Sequence, residues 1–531
     1  MDADKIVLQK TIFPTAGANS RLYADASRVG GGVSPRPTAG GGIELAPGEA
    51  FSTDSYFNAL FLTCWREHLP PAPLFLRIRT GGTARLRILR TQGHRHTEPG
   101  QWLSVSGEAE VPLQAGDPGR CPERLAFELE ACSGGAVLEH AEWVLQAPPR
   151  RVAMVAGICC FRREDLVLAM VRSLLGVPEV WTHLRRLVLV DQSGAGRLQK
   201  EVEQLEGAAG RVRVVSQANL GGTGGFARVM LEALGEAGAT HVLLLDDDVA
   251  LPAESVRRAA ALLSAAPHDL AVGAQMLDLA RPTIMHEAGA KLSRDRLQAE
   301  VWMRGEDLAE RPALDRLTTP AVPDYLGWYF CAIPLAAVRE VGLPLPFFIN
   351  FDDVEYGLRL RQAGVRLATL PGIAVWHQTG EGKETRWRSY YYQRNTLVLA
   401  ARHGLGSPVQ LALRFRQRWL RALCKRDVVR PKLAIQAVED FLAGPAAMAP
   451  DQAAAAGSFR ALSAKSPRRS CNPFELLGLW RGVHQAASNL ERLGGAAARA
   501  WAEGASCYTT PAWWRDSLGL TGVEDTSRPK A

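Results

Sequence analysis

The chain has 531 residues, 47% apolar and 22% charged, with a formal charge of +7 and a pI near 9.0. That length exceeds one ordinary domain, so two or three are expected, and the composition excludes a fibrous or disordered chain. The apolar runs fall short of the ~20 residues of a membrane span, and Met1-Asp2-Ala3-Asp4-Lys5 has neither the basic start nor the apolar core of a signal peptide, so a cytoplasmic location is expected. Nine cysteines without metal-ligand spacing fit a reducing compartment, with Cys159-Cys160 inside an apolar strand as core. The positive charge suits a phosphate-rich substrate or an anionic membrane surface as well as nucleic acid.

Up to about Gln146 the pattern is one of short strands. Phe75 to Arg79 and Arg85 to Ile88 alternate apolar with basic residues, and Leu125, Phe127 and Leu129 alternate with acidic or small ones. Thr80-Gly81-Gly82-Thr83 and Gly116-Asp117-Pro118-Gly119 read as turns, which predicts a β-sandwich. Gly30-Gly31-Gly32 and Gly40-Gly41-Gly42 read as connectors, because neither joins a strand to a helix. The run Ala147-Pro148-Pro149-Arg150-Arg151 then marks a boundary.

Beyond it, strands alternate with helices. Val152 to Phe161, Arg186 to Val190, Val212 to Val215 and His241 to Leu245 read as buried parallel strands, each closing on a polar cluster. Such clusters gather along the carboxyl edge of a parallel sheet, where open α/β folds bind ligands. Arg163 at a helix start can meet a phosphate, and Asp191 at a strand end can hydrogen-bond a base or ribose. The run after Asn219, Gly221-Gly222-Thr223-Gly224-Gly225, reads as a loop that lets the backbone approach a ligand, or equally as a tight helix-entry turn.

The informative stretch is Leu245-Asp246-Asp247-Asp248. Side chains alternate along an extended chain, so Asp246 and Asp248 share one side and can clamp a hard divalent cation, leaving Asp247 to face elsewhere. Downstream, Asp324 to Pro334 carries Trp328 and Tyr329, which stack on a sugar if exposed and fill the core if buried. Asp352, Asp353 and Glu355 open a helix, more acids than capping needs. Trp376-His377 ends a further strand, and an imidazole beside two carboxylates suits Mn²⁺. Alone, each feature has an ordinary structural reading; together they point to nucleotide-sugar chemistry.

This assembly resembles the GT-A glycosyltransferases of family 2, and more closely the galactofuranosyltransferases that build mycobacterial galactan. The resemblance rests on Leu245 to Asp248, Asn219 to Arg228, Tyr325 to Tyr329, Pro344-Leu345-Pro346 leading into Asp352-Asp353, Tyr356 to Arg359, Trp376-His377, Tyr391 to Asn395 and Asp440 to Pro445. In the N-terminal part it includes Tyr56 to Ala59 and Trp65-Arg66. It implies a UDP-galactofuranose donor and a divalent metal, Mn²⁺ or Mg²⁺, on Asp246, Asp248 and His377, with Asp353 as the general base of an inverting transfer. Arg163, Asp191, Asn219 and Asp247 would serve the nucleotide sugar, and Trp328, Tyr329, Asp352 and His286 the sugars, with Glu355 behind or against the acceptor. The chain departs from the polymerising members at Gly380, where they carry an aromatic, and at Ala290, where they carry a glutamate. Acceptor choice and polymer length therefore do not follow from the resemblance.

From Gln410 the pattern is helical, with Leu411, Phe415, Trp419 and Leu423 on one face amid arginines, either a solvated face over a core stripe or a membrane-surface helix. Residues 449–467 read as a mobile link, and Gly522 to Ala531 as a free tail. The expected architecture is an N-terminal β-sandwich over 1–148, a GT-A domain over 149–402 and a helical C-terminal domain over 403–531. The expected partners are a UDP-sugar and a glycan or lipid-linked acceptor, with peripheral contact at the inner face of the plasma membrane and self-association, and no nucleic acid. The competing readings are a family 2 transferase with another donor, such as a rhamnosyl- or glucosyltransferase, and a glycan-binding protein without catalysis.

Overall fold

The computed structural model describes residues 4–14, 20–25, 36–38, 40–92, 95–96, 100–113, 123–378, 386–448, 452–465 and 472–520. The N-terminal strands are β1 (Ile6–Lys10), β2 (Arg36–Pro37), β3 (Ile43–Leu45) and β4 (Ala50–Ser52), then, after the short helix α1 (Leu62–Arg66), β5 (Leu74–Gln92), β6 (Arg95–His96), β7 (Leu103–Leu113) and β8 (Glu123–Leu145). All belong to one antiparallel sheet, in which β5 lies between β7 and β8, and β4, β3 and β1 share the other edge of β8.

The expected short strands at Phe75 and Arg85 are therefore two halves of β5, and Thr80 to Thr83 is an irregularity within it rather than a turn. The ladder to β8 shifts register at Arg79/Thr80 and Gly82/Ala84, the kind of bulge that bends a strand. Phe127 and Trp143 lie on the same strand with ring centroids 6.4 Å apart, where a straight strand would separate them by ~50 Å. The sheet thus folds back on itself, so one sheet stands where two were expected. The Gly30 to Gly32 and Gly116 to Gly119 segments lie outside the described residues.

The next strands and helices are β9 (Met154–Cys160), α2 (Glu164–Leu175), β10 (Leu184–Asp191), α3 (Arg197–Glu203), β11 (Val212–Ser216), α4 (Gly221–Gly235), β12 (His241–Leu245), β13 (Val249–Ala250) and α5 (Ala253–Ala265). They continue with β14 (Leu270–Asp278), β15 (Met285–Glu287), β16 (Ala290–Ser293), β17 (Gln298–Val301), α6 (Arg311–Arg316), β18 (Phe330–Pro334), α7 (Leu335–Val341), α8 (Asp352–Gln362) and β19 (Arg366–His377). The main sheet has the order β11-β10-β9-β12-β18-β14-β19-β13, with β15 on β14. Strands β11, β10, β9 and β12 are parallel, so their carboxyl ends share one edge, and the strand order reverses beside β9. β18 runs antiparallel to β12 and β14, which makes the sheet mixed.

The two sheets share one apolar core that runs from Ile6 through Trp143 to Val375. Between them lies α5, whose buried Arg258 donates to the carbonyls of Lys10 and Gly372, both at 3.0 Å. Tyr56 donates from its hydroxyl to Gln275 Oε1 at 2.8 Å. The buried Arg258 guanidinium and Tyr56 hydroxyl thus have partners, which repay their loss of water.

The remaining described chain is helical: α9 (Ser389–His403), α10 (Pro408–Cys424), α11 (Val429–Ala443), α12 (Gln452–Lys465), α13 (Pro473–Gly504) and α14 (Pro511–Ser517). A Ser407/Gln410 capping box starts α10, which buries Phe415, Trp419 and Leu423, with Leu411 at the rim. The expected mobile link contains α12, because an alanine-rich run without proline favours helix and Phe459 packs on Tyr390 at 4.6 Å. Gly522 to Ala531 lie outside the described residues. Among those described, no helix is long and apolar enough to cross a membrane.

Helix α4 sits hard against β9 because Gly157 lacks a side chain. A Cβ there would lie 2.1 Å from Val229 Cγ1 and 2.4 Å from Cγ2. Gly157→Ala is expected to destabilise by ~1–3 kcal/mol, and adding Val229→Ala should recover part of that loss. Thermal melts of the two single variants and the double variant check it; strictly additive losses would refute the contact.

Candidate active site

β12 ends at Leu245, and the chain leaves the sheet through Asp246, Asp247 and Asp248 before β13 returns it. β13 pairs with the end of β19, Val249 opposite His377. That register brings His377 Nε2 to 2.8 Å from Asp248 Oδ1 and 3.6 Å from Asp246 Oδ2. One ligand atom from each of the three lies within 4.8 Å of the others, close enough for a single ion. Two carboxylates and an imidazole form a donor set that fits Mn²⁺ or a similar divalent ion. Burial works against charging His377, but its contacts with Asp246 and Asp248 outweigh it and hold the imidazole up at about 9.

Arg163, at the start of α2, points its Nη1 at Asp247 Oδ1 (2.8 Å) and Asp248 Oδ2 (2.5 Å). It follows Arg162, whose φ of 60° lies in the left-handed region and turns the chain sharply off β9. Burial, reinforced by the charge of Asp246, pushes Asp247 up to about 6 against the pull of Arg163.

The nucleotide candidates line the same edge. Asp191 is fully buried, its Oδ1 accepting from the Ser193 amide at 2.8 Å and hydroxyl at 2.6 Å. Its Oδ2 is buried without a protein donor among the described residues. Asn219 Oδ1 accepts from the Gly221 amide at 2.9 Å just before α4, and Gly221 to Gly225 form the first turn and a half of that helix, which agrees with the helix-entry reading of the run. At Gly221, with φ of 72°, a Cβ would strike the Phe348 carbonyl at 2.1 Å.

The second acidic pair sits on the N-terminus of α8. Phe348, Asn350 and Phe351 all have left-handed φ, 70°, 64° and 68°, a cost of ~1–3 kcal/mol each. Asn395 holds this turn, its Nδ2 donating to the Ile349 and Asn350 carbonyls, both at 2.8 Å, while Arg394 donates to the Phe347 carbonyl at 2.9 Å. Thr223, within the glycine run of α4, donates from Oγ1 to Asp352 Oδ2 at 2.6 Å. Burial raises Asp352, and that hydrogen bond opposes the rise. Burial and the adjacent Asp352 charge hold Asp353 well above the usual carboxylate range.

Both aromatics are buried, in different surroundings. Trp328 is buried, its ring edge-on to Phe226 (5.3 Å) and Tyr356 (5.8 Å), so no face is open for a sugar and its place is the core. Tyr329 lies 6.4 Å from the His377 ring and donates to Glu287 Oε1 at 3.2 Å. His286 is half-buried, with Arg304 Nη2 at 3.5 Å. Glu355, expected behind or against an acceptor, is instead sealed in an ion cluster with Arg359 (2.9 Å) and His403 (3.5 Å). Gly380 lies outside the described residues, and Ala290 is buried in an apolar cluster with Tyr325 and Val354.

Sequence reasoning missed Thr223, Glu287 and the supporting role of Arg394 and Asn395. For Glu287 the signal is strand alternation, which turns it to the opposite face of β15 from His286. Burial pushes its carboxyl up, and its charge reaches Asp353.

A parallel-sheet edge that carries clustered acids, a histidine and a glycine-rich helix start fits the glycosyltransferase class, and the family model "Glycosyltransferase like family 2" matches residues 149–396. Galactofuranosyltransferase GlfT2 of Mycolicibacterium smegmatis is 30% identical over 475 residues, 83% of this chain and 71% of that protein. GlfT1 of Mycobacterium tuberculosis is 33% identical over 235 residues, 43% of this chain and 71% of that protein. Among solved structures, "Mannosyltransferase PcManGT from Pyrobaculum calidifontis in complex with GDP-Man and Mn2+" has a TM-score of 0.32 at 15% identity, covering 71% of this chain and 88% of that one. The chain belongs to the family 2 glycosyltransferases and is a relative of the galactofuranosyltransferases.

Glu355 provides a check on stability. Burial alone would raise its carboxyl, but Arg359 and His403 lower it to about 2 from 4.5. A depressed folded value stabilises above the unfolded one and is lost as the pH falls through it. Glu355→Gln is expected to cost about 3 kcal/mol at neutral pH, with the gap to wild type closing as the pH falls from 4.5 towards 2. Denaturant unfolding across that range measures it, and a constant gap would refute the ion cluster.

Proposed function

We propose that the protein is a metal-dependent inverting transferase that moves galactofuranose from UDP-galactofuranose to a hydroxyl of a cell-surface glycan or lipid-linked acceptor. The observation that carries this reading is the convergence of Asp246, Asp248 and His377 on one point, next to a strained turn that presents Asp353, in a chain related to galactofuranosyltransferases over most of its length. Residues 149–402 would form a GT-A domain, the folded N-terminal sheet over 1–148 a sandwich-like module, and 403–531 a helical domain.

Asp246, Asp248 and His377 would hold Mn²⁺ or Mg²⁺, which supplies positive charge to the departing diphosphate. Arg163 and Asn219 would serve the nucleotide, and the unpartnered Oδ2 of Asp191 fits an N–H of the base. Asp353 would take the proton from the acceptor hydroxyl as that oxygen attacks the anomeric carbon from the face opposite UDP. Its raised affinity for protons makes it a stronger proton acceptor than an ordinary carboxylate. Asp352, fixed by Thr223, keeps that affinity high through like charge. Tyr329 and His286 would border the sugars. Exposed Phe474, Leu477 and Trp480 on one flank of α13 suit peripheral contact with a membrane that carries the acceptor.

UDP release would be measured with UDP-galactofuranose, UDP-galactopyranose and UDP-glucose, in Mn²⁺ or EDTA, over a panel of galactofuranosyl and other lipid-linked acceptors. Turnover is expected with the furanose donor alone, abolished by EDTA. Asp353→Asn should lower kcat by ~10²–10⁴-fold while UDP binding persists. Turnover of another UDP-sugar instead would overturn the donor, and full activity of Asp353→Asn would overturn the base.

A further inference from the structure

At the amino ends of β9, β10 and β11, opposite the edge that carries the acids, lies an open cavity of about 530 Å³. β10 runs from Leu184 at this cavity to Asp191 at the candidate active site, a separation of roughly 23 Å at ~3.3 Å per residue. Arg151, Arg185, Arg186 and Arg211 line it, with Glu236 as the carboxylate among the lining residues. Glu236 accepts from Arg186 Nε at 2.7 Å and lies 3.3 Å from Arg185 Nε, so one negative charge is shared between two guanidinium groups. The charges of Arg185 and Arg186 draw its carboxyl below the usual range.

Among the described residues no carboxylate pairs with Arg151 or Arg211. Arg211 is held over the Trp181 ring at 5.1 Å, which orients its guanidinium plane without neutralising it. Arg151 stands against Gly238, its Nη2 being 3.1 Å from where a Cβ would lie. Four guanidinium groups and one carboxylate leave about three net positive charges around one concavity. Folding alone gives no reason to gather like charges on one wall, because each repels the others and binding an anion would relieve it. Planar forks lining a cavity of this size fit an anion with two adjacent phosphate groups.

We infer that this cavity is a second, non-catalytic binding site for a diphosphate-bearing molecule, held by Arg151 and Arg211 with help from Arg185 and Arg186. The inference does not depend on the transferase reading. A diphosphate of this kind can arrive as a free nucleoside diphosphate or as the head of an isoprenyl diphosphate in a membrane.

The test is calorimetric titration of the full-length protein with inorganic pyrophosphate in EDTA, comparing wild type, Arg151→Ala/Arg211→Ala and Glu236→Gln. The double variant should bind at least ~10-fold more weakly with its melting temperature and UDP release unchanged. Glu236→Gln, which frees Arg185 and Arg186, should bind several-fold more tightly. Equal affinity in all three proteins, or no binding by wild type, overturns the site. Parallel titrations with UDP and with phosphatidylcholine vesicles containing farnesyl diphosphate identify the source: the arm whose binding weakens in the double variant carries the natural form of the ligand.

Discussion

Three consecutive carboxylates at the end of β12 repel one another, and the surrounding structure is arranged to compensate them. Arg163 reaches Asp247 and Asp248 from the end of β9, and His377 reaches Asp246 and Asp248 from the end of β19. Both depend on sheet order. β9 lies beside β12, and the short β13 pairs with the last residues of β19. That return pairing sets the imidazole beside Asp246 and Asp248 as a third ligand atom.

The second constraint is the turn before α8. Three left-handed residues without glycine are costly, and the compensation comes from α9, where Arg394 and Asn395 donate to the carbonyls of Phe347, Ile349 and Asn350. Each such hydrogen bond contributes ~1 kcal/mol net, and the packing of the helices adds the rest. The C-terminal helices are therefore part of how Asp352 and Asp353 are presented, and α9 is tied to α10, α11 and α13 by a common apolar cluster. Thr223 then links the acidic pair to α4, and close contact at Gly157 ties α4 to β9. A change far from the acids can reach them along this path of tight contacts.

Relatedness to galactofuranosyltransferases and the local chemistry agree on a transferase, yet the structure redistributes several roles. Trp328 and Tyr329 are both buried, yet they join different apolar clusters and only Tyr329 packs beside His377, because they point to opposite sides of the segment entering β18. Glu355 belongs to an ion cluster and Asp353 to the cleft, because they sit on different faces of α8. Ala290 is apolar core, while the buried Glu287 stands near the acidic pair on the neighbouring strand β15.

By itself the sequence determined what depends on neighbours along the chain. Alternating and continuous apolar patterns located β9, β10, β11 and β12, the strand end at Asp246, the acidic start of α8 and the buried stripe of α10. Tertiary structure decided what depends on distant partners. It made Thr80 to Thr83 a bulge because β8 pairs on both sides of it, packed the first turn of α4 so closely that Phe348 leaves no room for a side chain at Gly221 and Cys159 of β9 none at Gly225, and ordered α12 because Tyr390 offers Phe459 a surface. Periodicity tells which side of an element a residue takes. Only the packed fold says what waits on that side, since burial, partner charge and strain are set by elements tens of residues or more away along the chain.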